Sequence, residues 1–277
     1  LAGAPVEFNL VLETGGVREE IGSFGSTYVE RTLEVDGVLD PSRHTVLVFD
    51  PKQGSFRFVP ATFAAAGGKT SVKILSASNS LYVVAKHEKT YADIASHWAK
   101  ADIELLASKL IVKGVSEQEF APNRPITRAE FASLLVRAFG LKHQEGADGK
   151  TFRDVPAGAW HAADVAVAAE YGFVQGMEDG TFHPGDRITR EQMAVMIARA
   201  LAFASGGTPP KADGQALAAF PDRAAISDWA QEAVAQAAGA AILQGTADGR
   251  FLPSAEASRA EAATMLKRLL QAVGFID

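Results

Sequence analysis

Cysteine is absent from the chain, so there is no disulfide framework, no thiolate nucleophile and no cysteine metal site. That absence does not fix the compartment. Long apolar runs are absent too. A membrane helix needs roughly 20 consecutive apolar residues, and the nearest stretch, Ala233 to Leu243, is mostly alanine and carries Gln236 and Gly239. No membrane span is expected. Positive charge is not in surplus: 27 basic side chains stand against 33 acidic ones, a net charge of −6. There is therefore no general field for a phosphate backbone, no local basic patch stands out, and no nucleic-acid partner is expected. His97, His143, His161 and His183 lack paired ligand spacing, while Glu178-Asp179-Gly180 and Ala247-Asp248-Gly249 are too short for a calcium loop and read as turns. No metal and no cofactor is expected. Leu1 to Leu10 has neither an initiating methionine nor a basic n-region, so the chain reads as a mature or excised piece of something longer, with any export signal outside it.

What remains is ordinary globular composition, 47% apolar and 22% charged over 277 residues, enough for about two domains of roughly 150 residues each. From Pro5 to about Lys86, short alternating segments rich in β-branched and aromatic residues read as strands: Val6 to Glu13, Thr27 to Val35, Thr45 to Phe49, Ser55 to Val59, Ser71 to Leu75 and Ser80 to Val84. Gly15-Gly16, Asp36-Gly37, Asp50-Pro51, Gly54, Gly67-Gly68 and Asn79 supply the turns between them. The expectation is a small antiparallel sandwich or roll of about six strands.

After Lys89 alanine becomes frequent, the apolar period lengthens toward 3.6 residues, and an internal repeat emerges. Counting from Trp98, Trp160 and Trp229, a glycine sits at +16 (Gly114, Gly176, Gly245), a phenylalanine at +22 (Phe120, Phe182, Phe251), a proline at +24 (Pro122, Pro184, Pro253) and an arginine at +30 (Arg128, Arg190, Arg259). An aspartate precedes each tryptophan by five to seven residues: Asp93, Asp154 and Asp222. Each unit reads as helix, loop, helix. The second helix begins at Thr127, Thr189 or Ser258 and buries Phe131, Leu134, Leu135 and Ala138, or Met193, Met196, Ile197 and Ala200. The glycine either ends a helical segment or lets backbone come close to something. One such hairpin cannot bury its own apolar faces, so three are expected to share a centre as one domain.

Thr127-Arg-Ala-Glu130, Thr189-Arg-Glu-Gln192 and Ser258-Arg-Ala-Glu261 all fit the capping box, with hydrophobic staples Ile126 with Phe131, Ile188 with Met193, and a weaker Ala257 with Ala262. The capping box does not explain the arginine. At the first helical position the helix dipole disfavours a cation by about 0.3 to 1 kcal/mol, yet an arginine recurs there in every copy. Two readings remain open: an anion held by free helix amides and a guanidinium fork, or a salt bridge to an acid of the neighbouring repeat, such as the aspartate before the tryptophan. Each tryptophan is either a core side chain at a helix start, the favoured reading, or an exposed face for a sugar ring.

In order, spacing and copy number these motifs resemble the S-layer homology repeat in its usual triplet, over about residues 90 to 277. The resemblance implies a pseudo-threefold bundle whose inter-repeat grooves bind the secondary cell wall polymer of Gram-positive bacteria, a peptidoglycan-linked glycan ending in a pyruvylated amino sugar. It further implies that Arg128, Arg190 and Arg259 hold the acid, that Gly114, Gly176 and Gly245 leave room for the sugar, and that Trp98, Trp160 and Trp229 with Asp93, Asp154 and Asp222 line or brace the groove. The expected architecture is multidomain α and β: an N-terminal all-β sandwich or roll over residues 1–88, then an α-helical pseudo-threefold bundle over 89–277, with repeats at about 90–142, 151–204 and 219–277. The β region resembles, weakly, modules found before such triplets and reads as a spacer or packing platform.

The second copy departs from the pattern with Glu191-Gln192, which sets an acid beside Arg190. The third has Ser258, Ala257 and an alanine-rich first helix, so its groove is expected to bind most weakly. The step to the third tryptophan is 69 residues against 62 for the first pair, which places an exposed insertion near Ser205 to Gly214. The leading functional expectation is a secreted, non-catalytic cell-wall anchor, monomeric as this fragment, that gains retention from several weak grooves on one rigid body. The alternatives are a lattice or subunit contact and, behind it, a glycan-active enzyme fragment, which would need two acids at a set separation in a cleft.

Overall fold

A computed structural model of the chain describes residues 1–50, 54–143, 151–208, 211–212 and 215–277. Two antiparallel sheets and a hairpin form the amino-terminal part. One sheet orders β1 (Val6–Glu7), β9 (Leu81–Lys86), β5 (His44–Asp50) and β6 (Ser55–Val59); the other orders β4 (Val29–Asp36), β8 (Lys69–Ser76) and β7 (Ala61–Ala66). Alternate side chains of the two sheets meet in a core of Val35, Val46, Val48, Val59, Val72, Ile74, Tyr82 and Val84, as a sandwich requires. The sandwich is as expected, but among the described residues nine strands replace six. Val6 to Glu13 breaks into β1 and β2 (Val11–Thr14), and β2 pairs with β3 (Val17–Glu20) as a solvent-exposed hairpin turned by Gly15 and Gly16 at φ +60° and +82°. β7 was hidden by its alanines, poor strand formers that pair here because β8 offers them a ladder. In the expected Asp50-Pro51 turn, Pro51 lies outside the described residues, as do positions 209, 210, 213 and 214 of the expected insertion.

Among the described residues six α-helices follow: α1 (Lys100–Ser108), α2 (Arg128–Ala138), α3 (Ala162–Glu170), α4 (Arg190–Ala204), α5 (Asp228–Gly239) and α6 (Arg259–Ala272). The first helix of each repeat packs on the second helix of the repeat before it, α3 on α2 and α5 on α4, and α1 closes the ring on α6. The axis is built from the residues just ahead of the second helices. Ile126 N–H donates to Ala257 O at 2.9 Å, Ala257 N–H to Ile188 O at 2.9 Å, and Ile188 N–H to Ile126 O at 3.0 Å, a closed triangle with all three side chains buried. All three capping boxes form, each with the hydroxyl accepting an amide and the Glu or Gln accepting the cap amide.

The sandwich is joined to the end of this bundle. Phe58 of β6 belongs to the helical core cluster. Tyr28 donates its hydroxyl to Phe139 O at 2.6 Å and stacks edge-on against Phe275, and Ala61 N–H donates to Phe275 O at 2.9 Å. Buried Lys109 donates from Nζ to the carbonyls of Pro41 and His44 at 2.9 and 3.1 Å.

Candidate functional site

The repeated aspartates fold the loop between the two helices of each repeat. Buried Tyr91, Phe152 and Phe220 stack at 5.3–5.6 Å on Phe120, Phe182 and Phe251 of the same repeat. The aspartate two residues on then accepts two successive backbone amides. Asp93 takes Phe120 and Ala121 at 2.9 and 2.7 Å, Asp154 takes Phe182 and His183 at 2.7 Å each, and Asp222 takes Phe251 and Leu252 at 2.8 and 2.7 Å. The second residue of each pair is a non-glycine held at positive φ: Ala121 at 57°, His183 at 58° and Leu252 at 56°. Burial works to raise the pKa of Asp154 and Asp222, but the amide bonds outweigh it and leave both below the ordinary carboxylate value. These carboxylates brace the loop, and among the described residues they form no ion pair with Arg128, Arg190 or Arg259.

Gly114, Gly176 and Gly245 lie in the same loops, beyond the helix ends. A Cβ on Gly114 would stand 2.5 Å from the Tyr91 ring, one on Gly176 2.7 Å from Thr181 O, and one on Gly245 2.7 Å from Gly249 O. Of the two sequence readings, close approach is the one realised, and what approaches is the loop's own backbone and aromatic ring. Gly114 and Gly245 also lie on groove walls.

Arg128, Arg190 and Arg259 are 8%, 6% and 9% exposed. Each reaches into the next repeat around the ring, where Nε donates to the carbonyl of the recurrent phenylalanine: Arg128 to Phe182 at 3.0 Å, Arg190 to Phe251 at 2.6 Å, Arg259 to Phe120 at 2.9 Å. The guanidinium carbon lies 4.5–5.4 Å from the centroid of that same phenylalanine ring. A second donor reaches the carbonyl just before the repeat glycine: Gln175 at 3.5 Å, Gln244 at 3.2 Å and Lys113 at 2.7 Å respectively. These bonds explain a cation at a helix start. The free helix amides expected there are not free: the Arg128 and Ala129 amides donate to Asp186 O and Pro184 O, those of Arg190 and Glu191 to Ala255 O and Pro253 O, and those of Arg259 and Ala260 to Arg124 O and Pro122 O. The next amide in each helix goes to the capping hydroxyl.

The salt-bridge reading is realised with a different acid. Arg190 pairs through Nη1 with the capping glutamate of the following repeat, Glu261, whose other oxygen holds the Ser258 amide at 2.8 Å. Arg259 lies 4.0 Å from Glu130, which also binds Arg124. The equivalent cap of the second repeat carries Gln192 in place of a glutamate, and Arg128 makes no ion pair among the described residues. Glu191 is buried and turns from Arg190 to Ser227, accepting its amide and hydroxyl at 3.1 Å each at the start of α5.

Two grooves open at these seams. One, of about 380 Å³, is lined by Arg190, by Gln244 to Ala247, Glu261 and Arg268 of the third repeat, and by Trp98 of the first. The other, of about 360 Å³, is lined by Arg259, by Lys113, Gly114, Glu130 and Arg137 of the first repeat, and by Trp160 and Asp164 of the second. Each groove therefore takes its buried arginine from one repeat, its loop and helix wall from the next, and its tryptophan from the one after. Trp98, Trp160 and Trp229 are 65%, 67% and 59% exposed, so the favoured core reading is overturned. Each tryptophan stands at the outward side of its first helix's start, while the buried face of that helix runs through Ile103, Val165, and Ala230 with Val234. The alanine-rich α5 does not thin the larger groove, because α6 and the 244–247 loop form its wall.

A second arginine set, Arg137, Arg199 and Arg268, escaped the sequence reading although it recurs at +39 from each tryptophan. Arg137 and Arg268 line the two grooves. Arg199 donates to the Gln175 side chain at 2.8 Å. Burial depresses the pKa of Arg137 and Arg199.

With this geometry in place, comparison with known proteins decides the family. The S-layer homology domain family matches residues 90–132, 151–194 and 219–263. The helical part of this chain is an S-layer homology triplet. The chain is 34% identical over 249 residues, 90% of its length, to 13% of an amylopullulanase of Thermoanaerobacterium thermosulfurigenes. It is 37% identical over 189 residues, 68% of its length, to 17% of exoglucanase XynX of Acetivibrio thermocellus. It is 28% identical over 184 residues, 66% of its length, to 20% of S-layer protein EA1 of Bacillus anthracis. The chain thus spans a fifth or less of these relatives. S-layer homology domains are non-catalytic modules that anchor S-layer and surface proteins to the cell wall, and this triplet marks a secreted protein of the bacterial cell surface.

Proposed function

We propose that the chain is a non-catalytic wall anchor whose inter-repeat grooves hold the pyruvylated amino sugar that ends a secondary cell wall polymer. The observation that carries the reading is the pairing, in each groove, of an exposed tryptophan with a buried guanidinium from another repeat. An indole face 59–67% open to solvent suits the apolar face of a pyranose. The arginines' carbonyl partners are neutral, and although Glu261 faces Arg190 and Glu130 faces Arg259, each groove carries further cations, Arg268 in one and Lys113 and Arg137 in the other, so basic groups outnumber acids around a ketal carboxylate. Several grooves on one rigid body raise the effective concentration for each further contact along a polymer.

An enzymatic reading finds little support in the groove that holds two acids, Glu130 and Asp164. Glu130 accepts the Thr127 amide at 3.0 Å on one oxygen and Arg124 on the other, so both oxygens already serve the cap and an ion pair, which is not the placement of a general acid. The test is co-sedimentation with purified cell walls, before and after chemical removal of pyruvyl groups. Trp98→Ala with Trp160→Ala should abolish retention while leaving the thermal midpoint unchanged, because both rings are exposed. Depyruvylated walls should fail to retain the wild type. Retention that survives both changes refutes the proposal.

A further inference from the structure

The rim tryptophans are exposed, and an exposed indole has few contacts to settle its two side-chain torsions. Trp98 is held in a way the others are not. The imidazole of His97 lies against it, with ring centroids 5.3 Å apart and planes tilted by 35°. That imidazole is tied at both nitrogens. Its Nδ1 accepts the Ala99 amide at 3.2 Å, at the cap of α1, and its Nε2 lies 3.1 Å from Asn123 Oδ1 in the loop between α1 and α2. Because a backbone amide only donates, Nδ1 is the bare nitrogen, and the proton on Nε2 goes to Asn123. The half-buried ring is therefore fixed in tautomer and in plane, bridging the helix start and the loop.

The other two rims lack this device. Where the first repeat has His97 and Asn123, at −1 and +25 from its tryptophan, the second has Ala159 and Gly185 and the third has Asp228 and Ser254. Asp228 accepts instead from Gln231 of its own helix at 3.1 Å. Trp160 does have an imidazole edge-on to it at 5.1 Å, His161, but neither nitrogen of that ring has a hydrogen-bond partner among the described residues. Ordering one such side chain on binding costs about two- to tenfold in affinity, a loss avoided when the side chain is ordered beforehand. We propose that His97, held by Asn123, positions the Trp98 indole in the free protein, so that the groove at Arg190 is ordered at its rim in advance while the groove at Arg259 settles Trp160 only when the sugar arrives. The inference rests on the groove reading above and ranks the two grooves within it. It reverses the sequence expectation, because the groove walled by the third repeat becomes the tighter of the two.

Two measurements on the full chain test it. The first needs no ligand: nuclear magnetic resonance relaxation of the indole Nε1–H groups, assigned by Trp98→Phe and Trp160→Phe. Trp98 should be rigid and Trp160 distinctly less so, and His97→Ala should loosen Trp98 alone. Asn123→Ala, which leaves the Ala99 amide its acceptor, should loosen Trp98 as well, so a defect at the helix start does not imitate the effect. The second is calorimetric titration with the methyl glycoside of a pyruvate-ketal N-acetylated amino sugar, one groove at a time. The Trp160→Ala chain, which keeps the groove of Trp98, should bind about two- to tenfold more tightly than the Trp98→Ala chain. His97→Ala should lower the affinity of the first chain by that factor and add nothing to the loss in the second, a non-additivity that a merely structural histidine would not show. A Trp98 indole as ordered in His97→Ala and Asn123→Ala as in wild type, or a Trp160→Ala chain whose affinity ignores His97→Ala, overturns the proposal. If neither chain binds the glycoside while Trp98 still loosens without His97, the groove reading and the ranking fail together and the hold of His97 on Trp98 stands.

Discussion

Replacing Asp154 with asparagine tests the loop architecture at its most strained point. The two carboxylate oxygens accept Phe182 N–H and His183 N–H at 2.7 Å each, and His183 sits at φ +58°, a conformation that costs an L-residue roughly 1–2 kcal/mol. Asparagine keeps one acceptor and turns an NH2 toward the other amide, so one charge-assisted bond, about 1.5–3 kcal/mol, is exchanged for two facing donors. The expected loss is about 2–3 kcal/mol, read from urea unfolding followed by far-ultraviolet circular dichroism. His183→Gly in the Asn background should recover part of it by relieving the backbone. The pH dependence has a definite sign. The amides hold the Asp154 pKa below its unfolded value despite burial, so its contribution is complete above the unfolded value of about 4 and is lost as pH falls through the folded value. The gap between wild type and Asp154→Asn should therefore narrow in acid. A loss under about 0.5 kcal/mol at neutral pH, or a gap that widens on acidification, would refute the bracing role.

Arg190→Ala should destabilise the bundle by about 3–5 kcal/mol, because it strands Glu261 and leaves the carbonyls of Phe251 and Gln244 short of a donor; an unfolding free energy within about 1 kcal/mol of wild type would show the pair to be dispensable. Lys109 is pushed down to about 8 by burial, against the opposing pull of Asp277 and Asp40. Between that value and the unfolded value near 10.4 the unfolded chain binds more protons, so stability should rise with pH across that window by about 2 kcal/mol. Lys109→Met should remove this rise, and an identical pH profile in the variant would argue against it.

The spacing of Trp, Gly, Phe, Pro and Arg made the repeat legible, and the three capping boxes were legible to the residue, because both rest on local chemistry. What the sequence hid is the identity of partners across repeats. That the Phe120, Phe182 and Phe251 carbonyls accept an arginine from another repeat, and that Pro122, Pro184 and Pro253 accept its second helical amide, depends on ring closure between residues as far apart as 120 and 259. The misplaced-cation argument correctly singled out the arginines, but it counted as free a set of amides that the neighbouring repeat consumes. The tryptophans were misread because a large aromatic at an apolar helix start usually packs inward, and only the ring geometry leaves that position at a groove rim. The set of Arg137, Arg199 and Arg268 carried the same signal as the first arginines and needed only the spacing to be followed one helix further.

The cyclic construction makes the triplet the smallest unit that owns a complete groove. The groove at Arg190 draws on all three repeats, ending with Trp98 of the first, and the groove at Arg259 draws on all three again, ending with Trp160 of the second. Removing any one repeat therefore strips a wall, a cation or a rim from every groove, and it also breaks the hydrogen-bonded triangle of Ile126, Ile188 and Ala257 at the axis. Because the parts of each site are held by a shared core rather than by a flexible hairpin, little ordering remains to be done when a sugar arrives, which is the condition under which weak individual contacts add into retention on a polymer. The sandwich extends that rigid body by seating Phe58 in the helical core and Lys109 under the carbonyls of Pro41 and His44, so a pull on the chain ahead of the triplet reaches the grooves through packed side chains rather than through a loose tether.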